Sequence, residues 1–271
     1  MSDPEDVVLD VEDLQKAFGS VIAARDINLK FARNETVGII GANGAGKTTF
    51  VNLVTGYLAP SSGRIRYLGR DITRMAPRRV TRSGLSRSFQ IPQFFPNMTT
   101  YENVLMAFGI AEASWLPALG LHNTLRRQRQ VDEILTHYKI EGYRDQEVAL
   151  LPQGIRKLVD VAMATAGNPK ILLLDEPTSG ISAEEKYGLM DVIMDALRDR
   201  DVTVLFIEHD MDVVSRYAER VIAFYAGGVI ADGPPSTVLG DAQVKEYVIG
   251  THLKQHHHKT GATASAAPRE A

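Results

Sequence analysis

GIIGANGAGKTTF, residues 38–50, decides how this 271-residue chain is read. A short apolar run leads into Gly41, and residues 41–48 fit G-x-x-x-x-G-K-[ST]. Glycines at 41, 44 and 46 let the backbone bend so that successive N–H groups point at one spot, assisted by the positive end of the helix-forming run that follows. Such a cradle holds phosphate oxygens: Asn43, Ala45 and Thr49 contribute to it, Lys47 supplies a mobile cation, and the Thr48 hydroxyl suits Mg²⁺. A Gly-rich turn can match by chance, but this one stands between a β-rich and a helix-forming run, as the mechanism requires.

Two further strand ends agree with it. ILLLDEP, residues 171–177, is an apolar strand that delivers Asp175 and Glu176 to the sheet edge, where open α/β sheets bind ligands. Adjacent carboxylates there are either surface charges or, beside a phosphate loop, a pair in which Asp175 suits Mg²⁺ and Glu176 polarises an attacking water. VLFIEHD, residues 204–210, puts His209 after another apolar run. A histidine so placed is either structural or a donor to a γ-phosphate.

Apolar runs bounded by turn residues predict strands near 7–11, 27–31, 37–40, 65–67, 171–174, 202–207, 221–225 and 229–231. Helical patterns fall near 47–57, 100–108, 121–138, 155–166, 183–198 and 211–218. Alternating strands and helices at both ends of the chain predict an α/β core with parallel strands. Strand signal is nearly absent from Gln93 to Leu151, so a helical subdomain, about 93–165, is expected to be inserted in a domain spanning 1–250. The remainder, 251–271, loses apolar periodicity and reads as a disordered tail, with His256, His257 and His258 in a polar context.

Composition narrows the function. At 44% hydrophobic and 23% charged the chain is globular, and a net charge of -3 gives no basic footprint for nucleic acid. The arginine-rich strip from Arg70 to Arg87 is either a solvated face or a contact strip. Absence of cysteine excludes disulfides, thiolate metal sites and cysteine nucleophiles. The acidic start MSDPEDVVLD carries no export signal, and no apolar run approaches the ~18 residues of a membrane span.

With a phosphate loop, a DE-ending strand, a histidine after the next strand and a helical stretch between, residues 7–250 resemble the nucleotide-binding subunit of ATP-binding cassette (ABC) transporters. The resemblance implies a P-loop NTPase core of ABC ATPase type with an inserted helical subdomain and an N-terminal antiparallel β portion. It implies ATP and Mg²⁺ as ligands. It places Phe18 against adenine, Gln90 in SRSFQIPQ at Mg²⁺ and the attacking water, and Asp175, Glu176 and His209 in the roles above. SRSFQIPQFFPNMTTYENV, IEHDMDVV, VIADGPPSTVLGD and VKEYVIG look most like the ATPases of branched-chain amino acid importers. That likeness implies a second, different ATPase subunit, two transmembrane permeases, an extracytoplasmic solute-binding protein and no nucleic acid. The chain would then sit on the cytoplasmic face of the inner or plasma membrane, peripheral through its permeases.

The chain departs from the family at LPQGI, residues 151–155, where an LSGGQ-like signature should touch ATP held by the opposite subunit. Pro152 has neither a hydroxyl nor an N–H, Gln153 replaces a small residue and Ile155 a polar one; Gly154 keeps its place. TSGIS, residues 178–182, lacks the aspartate the family carries near Ser182. The expected function is an ATPase subunit powering import of a small solute, branched-chain amino acids or a related small organic acid or amide, as half of a dimer with a degenerate signature. The alternative is a regulatory subunit that binds ATP and dimerises with little hydrolysis. A soluble ABC ATPase of nucleic acid or ribosomes would carry two cassettes or a long coiled-coil insertion, and the sequence has neither.

Overall fold

The computed structural model describes residues 6–88, 94–112 and 125–250. β1 (Val7–Phe18) and β2 (Val21–Ala32) form a long antiparallel hairpin, followed by β3 (Thr36–Gly41), the phosphate loop and α1 (Lys47–Val54). β4 (Ser62–Tyr67) and the short β5 (Arg70–Asp71) complete a sheet of order β2-β1-β4-β5. α2 (Pro77–Ser83) and β6 (Leu85–Ser88) precede α3 (Thr100–Glu112), α4 (Leu125–His137) and α5 (Gln153–Thr165). The chain then alternates β7 (Ile171–Asp175), α6 (Lys186–Arg198), β8 (Thr203–Ile207) and α7 (Met211–Tyr217). It ends in the hairpin of β9 (Arg220–Tyr225) and β10 (Gly228–Gly233), α8 (Pro235–Gly240) and helical turns over 242–249.

The second sheet has the order β10-β9-β3-β8-β7-β6, parallel except for its β10 edge. Its central strands β7 and β8 are buried throughout, as continuous Ile/Leu/Val/Phe runs require when both faces are covered. Side chains alternate across a strand, so each strand feeds two cores. Leu172, Leu174, Val204 and Phe206 pack with α3–α7, including Val104, Val131, Val159 and Ile193. Ile171, Leu173, Leu205 and Ile207 pack with α1 and the antiparallel sheet, including Leu9, Phe31, Phe50 and Ile65. Phe50 joins the layers, its ring centroid 6.3 Å from that of Phe31 and 5.5 Å from that of Phe224.

All the expected strands and helices occur, with shifted ends. α1 stops at Val54, three residues before the pattern predicts, because Thr55 and Gly56 close a turn with Gly56 at φ +79°. β6 and α2 went unread inside the arginine-rich strip. That strip divides: Arg70, Arg74, Arg78, Arg79 and Arg82 are exposed, whereas Arg87 is turned inward from β6. The middle of the chain is helical where described, α5 packing against α3 and α3 against α4. Gln90, residues 121–124 of the expected 121–138 helix and the tail 251–271 lie outside the described residues.

Candidate functional site

β3 ends at Gly41 beside Phe224 of β9, which places the phosphate loop at the carboxyl edge of the sheet. Gly46 caps α1 with φ +107°, a left-handed conformation that favours glycine. A Cβ there would also stand 2.9 Å from the carbonyl oxygen of Ala23 and 3.1 Å from the Cα of Gly227. The loop is thus wedged between β2 and the β9–β10 turn, and the Gly227 N–H, donating to Ala45 O at 3.0 Å, secures it. The N–H groups of Lys47, Thr48 and Thr49 open the helix, where no preceding turn supplies their acceptors. Asn43, Gly44 and Thr48 are exposed at the mouth.

The Lys47 side chain is buried and donates to Gly41 O at 2.5 Å and Ala42 O at 3.1 Å. Burial lowers its pKa, and the nearby Glu176 and Asp175 carboxylates work against that shift. An anion in the cradle would supply the counter-charge that the loop carbonyls cannot.

β7 and β8 run parallel with Asp175 opposite Ile207, so Glu176 and His209 emerge side by side. His209 Nε2 lies 2.8 Å from Glu176 Oε1. That hydrogen bond holds the Glu176 carboxyl below its ordinary value, against the effect of partial burial and with help from Lys47 and Lys157. Glu176 has φ +51°, sparsely populated for a residue with a side chain. Its N–H bonds Ile207 O at 3.0 Å, and its carbonyl accepts from Ser179 N at 3.1 Å and Lys157 Nζ at 3.3 Å. Asp210, next after His209, caps α7 by accepting from Asp212 N at 3.0 Å and Val213 N at 3.3 Å, and pairs with Lys186.

Asp175 is buried, and its Oδ2 receives Arg87 Nη2 at 2.5 Å while Arg87 Nη1 reaches Asn52 Oδ1 of α1 at 2.7 Å. Sequence reasoning missed Arg87 because it sits in a run of surface arginines; the alternation of LSRS was the available signal. It also missed Lys157, Thr178 and Glu208. Hard oxygen donors on Thr48 and Asp175 suit Mg²⁺, which takes few protein ligands beside substrate phosphates.

Phe18 ends β1 with 49% of its surface exposed, so it is not a core residue, and Lys16 Nζ lies 5.0 Å from its ring centroid. Gly154 lies in the first turn of α5, capped by Pro152, and a Cβ on it would meet Ile181 Cδ1 at 4.0 Å. Gln153 turns to the loop after β7, its Nε2 3.4 Å from Ser179 O. Gly180 in that loop has φ +77°, and a Cβ there would overlap Gln153 Nε2.

Residues 24–179 match the ABC transporter family. The chain is 32% identical to the probable branched-chain amino acid transport ATP-binding protein LivG of Archaeoglobus fulgidus, over 90% of this chain and 95% of that protein. It is 31% identical to the high-affinity branched-chain amino acid transport ATP-binding protein BraF of Pseudomonas aeruginosa, over 90% and 98%. It is also 32% identical to the lipopolysaccharide export system ATP-binding protein LptB of Haemophilus influenzae, over 91% and 99%. Among solved structures, an ATP-binding cassette of an ABC transporter in its ADP conformation superposes with a TM-score of 0.78 at 28% identity, covering 89% of this chain and 98% of the other. The cbiO1 protein of Clostridium perfringens, part of the ABC transporter complex cbiONQ, gives 0.77 at 28%, covering 95% and 100%.

Proposed function

Because this chain belongs to the ABC transporter family, and is an ATPase of that family, we propose that it hydrolyses MgATP to power import of branched-chain amino acids or a related small organic acid or amide. The observation that carries the hydrolytic reading is the 2.8 Å contact of Glu176 with His209 beside a buried Lys47. The first-turn N–H groups of α1 and the Lys47 ammonium bind the β and γ phosphates. Thr48 and Asp175, with Gln90, would hold Mg²⁺, which would supply neutralising charge for the phosphate oxygens. Glu176, kept ionised by its hydrogen bond, accepts a proton from the attacking water; His209 orients Glu176 in this structure and, with its N–H turned to a bound nucleotide, would donate to the γ-phosphate instead. Phe18, exposed at the hairpin tip, stacks on adenine. The regulatory alternative gains nothing from this geometry, since the proton acceptor and its orienting partner are both present.

The importer reading rests on likeness to the LivG and BraF proteins and on the stretches 86–104 and 207–214. Likeness to LptB at equal identity is the observation behind a second reading, energising an exporter. In either case the chain, like the transport subunits it resembles, docks on permeases. Among the described residues no helix is long and apolar enough to cross a membrane. The inserted helical unit, about 93–165, presents the docking face. Gly154 faces the nucleotide of a second, different ATPase subunit, and a solute-binding protein serves the same system.

Purification of the tagged chain from detergent-solubilised membranes of its source tests this. Recovery of two permeases with a second ATPase, and ATP turnover stimulated by a solute-loaded binding protein, is expected. Recovery with lipid-export membrane components, or absence of turnover in the complete assembly, would overturn the importer reading.

A further inference from the structure

Glu208 is 3% exposed, a nearly dry position for a carboxylate. It is not left without partners. Its Oε1 accepts from Thr178 N at 2.9 Å and Thr178 Oγ1 at 2.7 Å, and its Oε2 accepts from His209 N at 3.2 Å. Its own N–H reaches Ile39 O at 3.3 Å, on the strand that carries the phosphate loop. Thr178 follows Glu176 by two residues, and His209 follows Glu208 directly. The carboxylate therefore bridges the two chain segments that leave β7 and β8 with the reacting pair.

We propose that Glu208 is a positioning residue for ATP hydrolysis: by tying the Thr178 loop to the backbone of His209, it sets the 2.8 Å contact between His209 and Glu176. The inference rests on the hydrolytic reading of that pair and adds what holds it. Glu176 occupies a left-handed conformation that its own side chain disfavours, so the loop must be held by its surroundings. Thr178, anchored through both N–H and hydroxyl, is the next fixed point along the chain. An ionised carboxylate accepts three bonds without offering a proton, whereas a glutamine amide presents N–H groups to one side, and either Thr178 or His209 N–H loses its acceptor. Burial raises the Glu208 pKa, and the donors on Thr178 and His209 oppose that shift.

The test uses the full-length chain with Glu208→Gln, Thr178→Val and Thr178→Ser. In ¹⁵N-histidine-labelled protein, the ring signal of His209, assigned with His209→Asn, reports the bond at Nε2 without needing turnover. It should move in Glu208→Gln and Thr178→Val and stay in place in Thr178→Ser, which keeps the hydroxyl. In the assembled complex, single-turnover hydrolysis should fall about tenfold in the first two, a barrier change of one ordinary hydrogen bond. ATP affinity should stay within about twofold, since the phosphate cradle is untouched. Thr178→Ser should hydrolyse ATP near the parent rate. An unmoved His209 signal in Thr178→Val, with hydrolysis equal to the parent, overturns the proposal even if Glu208→Gln fails to fold. A parent complex that does not hydrolyse ATP would instead count against the hydrolytic reading, with the ring signal still deciding the bridge.

Discussion

Glu176 and His209 are 33 positions apart in the chain, yet Oε1 of one lies 2.8 Å from Nε2 of the other. Parallel pairing of β7 with β8 produces this, because Asp175 faces Ile207 and the chain leaves both strands at the same edge. Replacing Glu176 by Gln preserves the shape but removes the proton acceptor. MgATP should bind with affinity near that of the parent, while hydrolysis falls by about 10²-fold or more, the scale of losing a general base. Single-turnover kinetics with labelled ATP check this, and parental turnover would remove Glu176 from its assigned role.

The same hydrogen bond has a pH signature. The Glu176 carboxyl titrates below its ordinary 4.5, chiefly through His209. A depressed folded-state value means the stabilisation is fully present above the unfolded-state pKa and is lost as pH falls through the folded-state value. The Tm difference between parent and Glu176→Gln, followed from about pH 6 to about pH 3, should shrink at the acid end. A difference that is constant over that range, or that grows on acidification, contradicts the assignment.

Lys47 bonds only the carbonyls of its own loop, Gly41 O and Ala42 O, in the hydrogen bonds described, and its burial lowers its pKa. Lys47→Ala therefore leaves the fold intact and removes the mobile cation from the cradle. Nucleotide affinity should drop at least ~10- to 100-fold, the equivalent of one charge-assisted bond of about 1.5–3 kcal/mol, and turnover should vanish. Titration calorimetry with ATP measures it.

Gln153 reaches toward Ser179 O in the loop after β7, at 3.4 Å. Beside Pro152 it leaves the start of α5 without a side-chain hydroxyl to offer a nucleotide on the proposed second subunit. Loss of one donor that strengthens in the transition state slows hydrolysis by ~10²-fold. The isolated chain should be a feeble ATPase, the pair with its second subunit active at one site. The combined change Pro152→Ser, Gln153→Gly and Ile155→Gln should raise turnover of the isolated chain. Strong parental turnover that the repair leaves unchanged would show that LPQGI serves as well as the usual signature.

Phe94 and Phe95 are adjacent but play different parts. Phe94 packs against the helical core, while Phe95 is 44% exposed on a turn whose backbone is clamped by the buried Asn103, which accepts from Phe95 N at 2.8 Å. Phe94→Ala should lower stability by about 1–2 kcal/mol, less than the 3–5 kcal/mol of a fully buried phenylalanine. Phe95→Ala should leave Tm unchanged and weaken assembly with the permeases several-fold, because an exposed aromatic on a rigid turn suits a partner helix. Denaturation and copurification, run on both variants, separate the two.

The phosphate loop was legible because its signal is local: glycine spacing, a lysine and a hydroxyl within residues 41–48, with a strand before and a helix after. The DE strand and the strand before His209 were legible for a similar reason, since strands buried on both faces read as continuous apolar runs. β6 was not, because LSRS is short and lies among surface arginines; only its pairing with β7 makes it a strand.

Sequence alone thus determined the fold class, the strands that read as apolar runs and the residue types available at the nucleotide edge, because glycine geometry and apolar periodicity act over a few residues at a time. Tertiary structure decided which of those residues work together. Arg87 looked like one more surface charge until β6 placed it on Asp175, and Glu208 looked like a neighbour of His209 until Thr178 arrived from the loop after β7. Nor could Gln153 be linked to the loop at Gly180 before α5 and the end of β7 were set side by side. A hydrogen bond depends on its partner, and when the partner is tens of residues away, no local pattern in the chain announces it.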